Sequence, residues 1–209
     1  MKMRKLRLGM FAVGFVLLAG VGVGWYVRAM QEVPPSQVAI GGKVANVQLA
    51  TVTGEGVQLY NYAGQQGTLV IFVATRCPVS NDYNQRMADL AREYAARGFA
   101  VIGINSNRTE PGDEVARHAT EKGLGFTVLK DPDNKVADYL GASVTPEAYL
   151  FDRDWVLRYH GRIDDSRNQA KITARDLRGA LDALLAGKSV TVTETKAFGC
   201  TIKRVSRSS

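Results

Sequence analysis

A chain of 209 residues, 45% of them apolar and 22% charged, accommodates one folded domain of ordinary core size with a targeting or tail segment to spare. Its formal net charge is +7, but Lys2, Arg4, Lys5, Arg7, Lys203, Arg204 and Arg207 gather at the two ends, which speaks against a nucleic-acid-binding face on the folded part. Two cysteines and two histidines exclude a structural zinc site on the paired Cys/His spacings, and no residue set asks for a metal or a cofactor.

Residues 1–30 read as a membrane anchor or signal. Four basic residues precede an apolar run, residues 8–27, long enough to cross a bilayer as a helix, and Arg28 closes it. A cleaved signal peptide is the competitor, but its apolar core is usually about 7–15 residues with a small-x-small site behind it, and here the run is longer and no such site follows. Leu18-Ala19-Gly20-Val21 has the outline of a lipoprotein box, with Val where the lipidated Cys would stand. The uncleaved anchor is the favoured reading. With the basic end retained in the cytoplasm, the rest of the chain lies outside a bacterial inner membrane, where disulfides persist.

Residues 31–42, with Pro34-Pro35 and Gly41-Gly42, read as an extended linker. The folded domain is expected over residues 43–188. Val44 to Val52 and Val57 to Tyr60 flank Thr53-Gly54-Glu55-Gly56 and predict a β-hairpin. Leu69 to Ala74 is a short apolar run rich in β-branched residues, the pattern of a buried strand. Met87, Leu90, Ala91 and Tyr94 then recur at three and four, predicting one amphipathic helix from just after Cys77 to about Arg97. Phe99 to Asn105 predicts a second buried strand, Asp113 to Lys122 a short helix, Phe126 to Leu129 a brief strand, and Asp131-Pro132-Asp133 the start of a small helix through Leu140. Ala148 to Phe151 and Val156 to Tyr159 predict two strands around an Asp152-Arg153-Asp154 turn, and Arg175 to Leu185 a closing helix. Residues 189–209 form a tail carrying Cys200, with a short strand expected at Val190 to Thr193. This order implies an α/β fold: a mixed central sheet with helices on both faces and an N-terminal hairpin extension.

Cys77 stands where the first buried strand hands over to a helix N-terminus, with Pro78 preset for the first helical turn. Free N–H groups and the helix dipole stabilise an anion there, Arg76 acts in the same direction, and thiols so placed have pKa values of about 3.5 to 7.5 against about 8.5 when free. The plain alternative is an inert buried thiol. Ser80 either donates a hydrogen bond to the thiolate or caps the first turn. His118 and His160 read as ordinary polar residues, and Asp164-Asp165 as a solvated turn or acidic helix leader in preference to a cation site.

The order of hairpin, strand, Cys77-Pro78 at a helix start, strand, helix, Thr145-Pro146, hairpin and helix resembles the thioredoxin-like fold, over roughly Val44 to Ala186. The hairpin and the helix Asp113 to Lys122 are similar to its redoxin branch, the alkyl hydroperoxide reductase/thiol-specific antioxidant group and the membrane-anchored thiol-disulfide reductases of bacterial envelopes. Gly103-Ile-Asn105-Ser-Asn107, Leu129-Lys-Asp131-Pro132, Val144-Thr-Pro146-Glu147 and Gly199-Cys200 add to the resemblance. It implies a cis Thr145–Pro146 bond facing the reactive Cys, with the backbone of Thr145 available to pair with an incoming peptide.

The departures bear on activity. Cys77-Pro-Val-Ser80 carries a hydroxyl where a dithiol thioredoxin carries its second Cys, and Arg76 stands where thioredoxins usually have Trp. A peroxiredoxin places Thr or Ser three residues, and Pro seven residues, ahead of its Cys; here those positions are Ala74 and Val70. Cys200 is then the candidate resolving thiol, since loop closure costs grow only with the logarithm of length and an oxidising compartment leaves few thiols idle. Three readings stay open: an envelope thiol-disulfide oxidoreductase with Cys77 as nucleophile and a protein or small-molecule disulfide or thiol as partner; a thiol peroxidase; and a membrane-tethered redoxin binding module stapled by Cys77–Cys200.

Overall fold

The computed structural model describes residues 37–206. The anchor expected at residues 8–27 and the first half of the linker lie outside the described residues, among which no helix is long and apolar enough to cross a membrane. The last residues of the expected linker are packed. The Val38 N–H donates to the Tyr139 carbonyl, Gly41 and Gly42 exchange backbone hydrogen bonds with Leu157, and Val38 and Ile40 lie against the core.

In chain order the elements are β1 (Gln48–Ala50), β2 (Gly56–Gln58), β3 (Gly67–Phe72), α1 (Pro78–Asp82), α2 (Asn84–Ala95), β4 (Phe99–Asn105), α3 (Gly112–Glu121), β5 (Thr127–Lys130), α4 (Lys135–Leu140), β6 (Val144–Thr145), β7 (Glu147–Asp152), β8 (Leu157–Gly161), α5 (Asp176–Leu185) and β9 (Cys200–Thr201). Seven strands form one sheet in the order β2-β1-β5-β4-β3-β7-β8, while β6 and β9 pair separately. β3 is parallel to β4 and antiparallel to β7, so the sheet is mixed, as the alternation of elements predicts.

β3 is central and every one of its residues is buried, which is why it reads as a continuous apolar run. Side chains alternate across it: Leu69 and Ile71 join Met87, Tyr94, Val115 and Leu181 from α2, α3 and α5 on one face. Val70 and Phe72 join Val136, Leu140, Tyr149 and Ile202 on the other. Each such side chain contributes about 1.5–3 kcal/mol by leaving water. The site therefore stands at the end of a fully buried inner strand.

Three expectations are corrected. The hairpin strands are shorter than the apolar pattern suggests, because Val44 and Val47 pack into the core from irregular chain and Leu59–Tyr62 closes into a 3₁₀ turn. The helix after Cys77 is broken at Tyr83, whose N–H turns back to the Ser80 carbonyl while its ring is buried and its hydroxyl donates to Asp164 at 2.8 Å. No strand forms at Val190 to Thr193; that part of the tail makes a parallel bridge, His160 to Glu194, beside β8.

Candidate active site

Beyond the end of β3, the Val73 N–H still pairs with the Ile104 carbonyl, and the chain then turns through residues 74–76 into α1. Cys77 is the N-cap of that helix, with extended backbone (φ −87°, ψ 115°), and its Sγ accepts the Ser80 N–H at 3.3 Å. Pro78 occupies the first helical position, where its missing N–H costs nothing. In the disulfide form the Ser80 hydroxyl is turned to the chain before Cys77. It accepts the Ala74 N–H at 3.2 Å and so ties the turn before Cys77 to the helix after it, while the backbone N–H of the same residue serves the sulfur.

Arg76 is also turned to other work. Its side chain is largely exposed and grips Glu114 through two nitrogens, Nε at 2.9 Å. Three residues spaced by four form the clamp behind the cysteine turn. Glu110, buried, accepts the Thr75 N–H at 2.9 Å and the Arg76 N–H at 3.1 Å. Glu114 takes the Arg76 guanidinium and the Thr75 hydroxyl, which together hold its carboxyl down to about 2. His118 Nε2 donates to the Asn81 side-chain oxygen at 2.7 Å, Asn81 being oriented by its own bond to the Thr75 carbonyl, and burial keeps the imidazole below its usual range. Behind Glu110, the Lys130 ammonium donates to Asn105 Oδ1 and the Glu110 carbonyl, both at 2.6 Å. Burial lowers the pKa of Lys130, against an opposing pull from Glu110. Glu114 and His118 lie one turn apart on α3 and Glu110 in the loop before it, but their target is some 35 residues away and no local pattern names it.

The Thr145–Pro146 bond is cis, and the Thr145 carbonyl oxygen lies 3.3 Å from Cys77 Sγ. Glu147, buried directly after the proline, accepts the Ser143 and Val144 N–H groups and a 2.6 Å hydrogen bond from His160 Nε2. Burial pushes the Glu147 carboxyl up, but these donors outweigh it and hold it below its ordinary value. His160 stacks on Tyr149 with ring centroids 4.4 Å apart. It is a support beneath the proline turn, a role its surroundings in the sequence do not show. Asp164 and Asp165 are structural: Asp164 is buried against Arg86 at 2.7 Å, and Asp165 accepts the Thr173 N–H.

Cys200 reaches Cys77 and is joined to it in a disulfide, Cα to Cα 5.8 Å. The tail that brings it is anchored along its length. Thr195 runs so close past Gly161 that a Cβ there would strike it, at a φ of +145° that side chains also disfavour. Phe198 meets Tyr83 edge-on at 6.2 Å. Cys200 and Thr201 pair with Thr145 and Val144 as β9 on β6, and Ile202 is buried. Beyond it, the Lys203 backbone bonds to Asn107 and Arg108, and the Arg204 guanidinium donates to Asp138 at 2.8 Å. Cys77 is 4% exposed and Cys200 half-buried.

The AhpC/TSA family model matches residues 40–160. A thiol-disulfide oxidoreductase named ResA from Geobacillus kaustophilus is 26% identical over 143 residues, 68% of this chain and 79% of that protein. A thiol:disulfide interchange protein named DsbE from Allochromatium vinosum is 30% identical over 126 residues, covering 59% of this chain and 64% of that protein. Among solved structures, a hypothetical protein of Sinorhizobium meliloti 1021 aligns with a TM-score of 0.74 at 35% identity, over 82% of this chain and 98% of that one.

Proposed function

The chain belongs to the AhpC/TSA family and is an oxidoreductase of the thiol-disulfide class, and from that premise we propose that Cys77 is the attacking thiol and Cys200 the resolving one, acting on the disulfide of a protein or small molecule. The observation that carries this reading is the placement of the pair: Cys77 caps a helix, beside the Thr145–Pro146 turn, and its partner is a half-buried sulfur on a tail strand. A helix N-terminus with a free N–H aimed at the sulfur favours the thiolate.

In the reduced chain the Cys77 thiolate attacks one sulfur of the substrate. A Cys77–substrate disulfide forms, the substrate S–S bond breaks, and its second sulfur leaves as thiolate with the electron pair. Cys200, its proton given to solvent, then attacks the Cys77 sulfur, forms Cys77–Cys200 and expels the first substrate sulfur as thiolate. Two electrons have passed to substrate, and a dithiol donor returns them; run in reverse, the same steps oxidise a dithiol. Pro146 and Thr145 shape the approach, Ser80 supplies its N–H, and Arg76 fixes the turn through Glu114.

We place this domain on the outer side of a bacterial inner membrane, tethered through residues 8–27, on the strength of the basic start, the apolar run and the disulfide itself. The peroxidase reading lacks Pro and Thr at the family's spacing, since Val70 and Ala74 stand there. The staple reading draws support from the anchored tail. Equilibration of the full chain against dithiothreitol or glutathione buffers separates the two: a potential of about −120 to −270 mV is expected for turnover, and one below about −300 mV would make the disulfide a staple.

A further inference from the structure

The tail is anchored on both sides of Cys200. Upstream, the Thr195 N–H donates to the His160 carbonyl at 3.0 Å, and the Thr195 hydroxyl accepts the Arg162 N–H at 3.0 Å and meets the Tyr159 hydroxyl at 2.7 Å. Downstream, two asparagines take up the tail's backbone donors. Asn107 Oδ1 accepts the Lys203 N–H and Asn134 Oδ1 the Val205 N–H, both at 2.7 Å, while the Arg108 N–H donates to the Lys203 carbonyl at 2.9 Å. Both asparagines are buried, 4% and 1% exposed, so a tail that left altogether would strand two acceptors inside the fold. Asn134 is also fixed in place. Its backbone is left-handed at φ 58°, a conformation asparagine tolerates, its side-chain amide donates to the Ser106 carbonyl, and Asp131 braces the same turn by accepting the Val136 and Ala137 N–H groups. Between the anchors, Cys200 and Thr201 pair with β6, Gly199 and Thr201 are exposed, and Ile202 is buried again.

Resting on the reading of Cys200 as the resolving thiol, we propose that Asn107 and Asn134 are positioning residues for the resolving step. They keep residues 203–205 docked after the disulfide opens, so that Cys200 swings on a short arm and does not depart with the tail. Two residues of extended chain reach about 7 Å, which bounds how far the Cys200 Cα can retreat from a seated Ile202. That range suffices to part the sulfurs, since a disulfide needs Cα atoms about 4.4–6.8 Å apart and these two stand at 5.8 Å. It also keeps the resolver beside its target. When substrate holds Cys77 in a mixed disulfide, the Cys200 thiolate attacks the Cys77 sulfur, forms Cys77–Cys200 and expels the substrate sulfur as thiolate. A seated arm raises the local concentration of the attacking sulfur for that step and leaves the first attack, by Cys77, untouched.

The test treats the full chain with dithiobis(nitrobenzoate). In a Cys200→Ser chain, attack by Cys77 leaves one thionitrobenzoate on its sulfur and releases the other as a coloured anion. In that adduct the amides of residues 203 and 205 are expected to exchange with solvent at least about tenfold more slowly than those of residues 198–201. Equal exchange would mean that the whole tail leaves, and would overturn the proposal. In the reduced chain with both cysteines, a second thionitrobenzoate is released as Cys77–Cys200 closes, so closure is timed by colour. Asn107→Ala combined with Asn134→Gly, the glycine keeping the left-handed turn, is expected to slow closure about tenfold, the scale of two hydrogen bonds. Asn107→Ala alone, which leaves that turn intact, is expected to slow it about threefold. The first release, measured with the same substitutions in the Cys200→Ser chain, should keep its rate. Unaltered closure, or a first release slowed in parallel, would overturn the positioning role. Failure of Cys77 to release any thionitrobenzoate, or of the two-cysteine chain to release a second, would instead overturn the reading beneath it.

Discussion

The two sulfurs of the disulfide are held by opposite means. Cys77 stands just beyond the buried strand β3, at a helix cap, with Glu110 from the loop before α3 and Glu114 and His118 from α3 braced against its turn. Cys200 sits on a two-residue strand at the margin of the fold, fixed by the buried Ile202, the Phe198 ring on Tyr83, hydrogen bonds of the tail backbone to Asn107 and Asn134, and the Arg204–Asp138 ion pair. On the proposed reading, Cys77 as nucleophile has to keep its geometry through turnover, while Cys200 as resolver has to withdraw and come back. Rigidity and removability are thus assigned to different halves of one covalent bond.

Removing either sulfur breaks this division most completely. Cys77→Ser is expected to abolish reaction with disulfide substrates, whereas Cys200→Ser should accumulate the mixed disulfide at Cys77, since Ser80 offers no local thiol to release it; mass spectrometry of the intact chain after mild oxidation reads both. Glu110→Ala strips acceptors from two backbone N–H groups and a buried amide, and a loss of about 3 kcal/mol in urea unfolding is expected, together with slower reaction of Cys77. Ile202→Ala should weaken tail docking by about 2 kcal/mol, seen as faster amide exchange at residues 200–203 of the reduced chain, with the exchange of β3 unchanged. An Ile202→Ala chain whose β3 amides also loosen would show the two halves to be one unit. The smallest effect is on pH. The folded Glu114 carboxyl lies near 2 against an ordinary 4.5, so the stability it contributes is present above the ordinary value and fades as pH falls from about 4.5 to about 2. Glu114→Gln should flatten that part of an acid-unfolding curve.

How much of this could be read beforehand follows the same line. The Leu69 to Ala74 run, the change of period after Cys77 and the Pro at the first helical position are local signals, and they mark the strand-to-helix turn correctly. The helix break at Tyr83 escapes a periodicity argument because its cause, a hydroxyl reaching Asp164, lies 81 residues away. Glu110, Glu114, Glu147 and His160 are ordinary polar residues by composition and acquire their meaning only from distant partners. The tail is the extreme case: two paired residues have no periodicity, and only Gly199 before Cys200 hints at a close backbone approach.

The disulfide also encloses a great deal of polymer. It spans 123 positions in sequence, so the oxidised chain is a ring that contains α1 through α5, with β1, β2 and β3 hanging outside it. A closed loop of that size removes unfolded conformations worth about 4 to 5 kcal/mol in chain-entropy terms. Each catalytic reduction would therefore open the ring and withdraw that constraint from the whole fold, so susceptibility to proteases would rise and fall with the electron count of the chain.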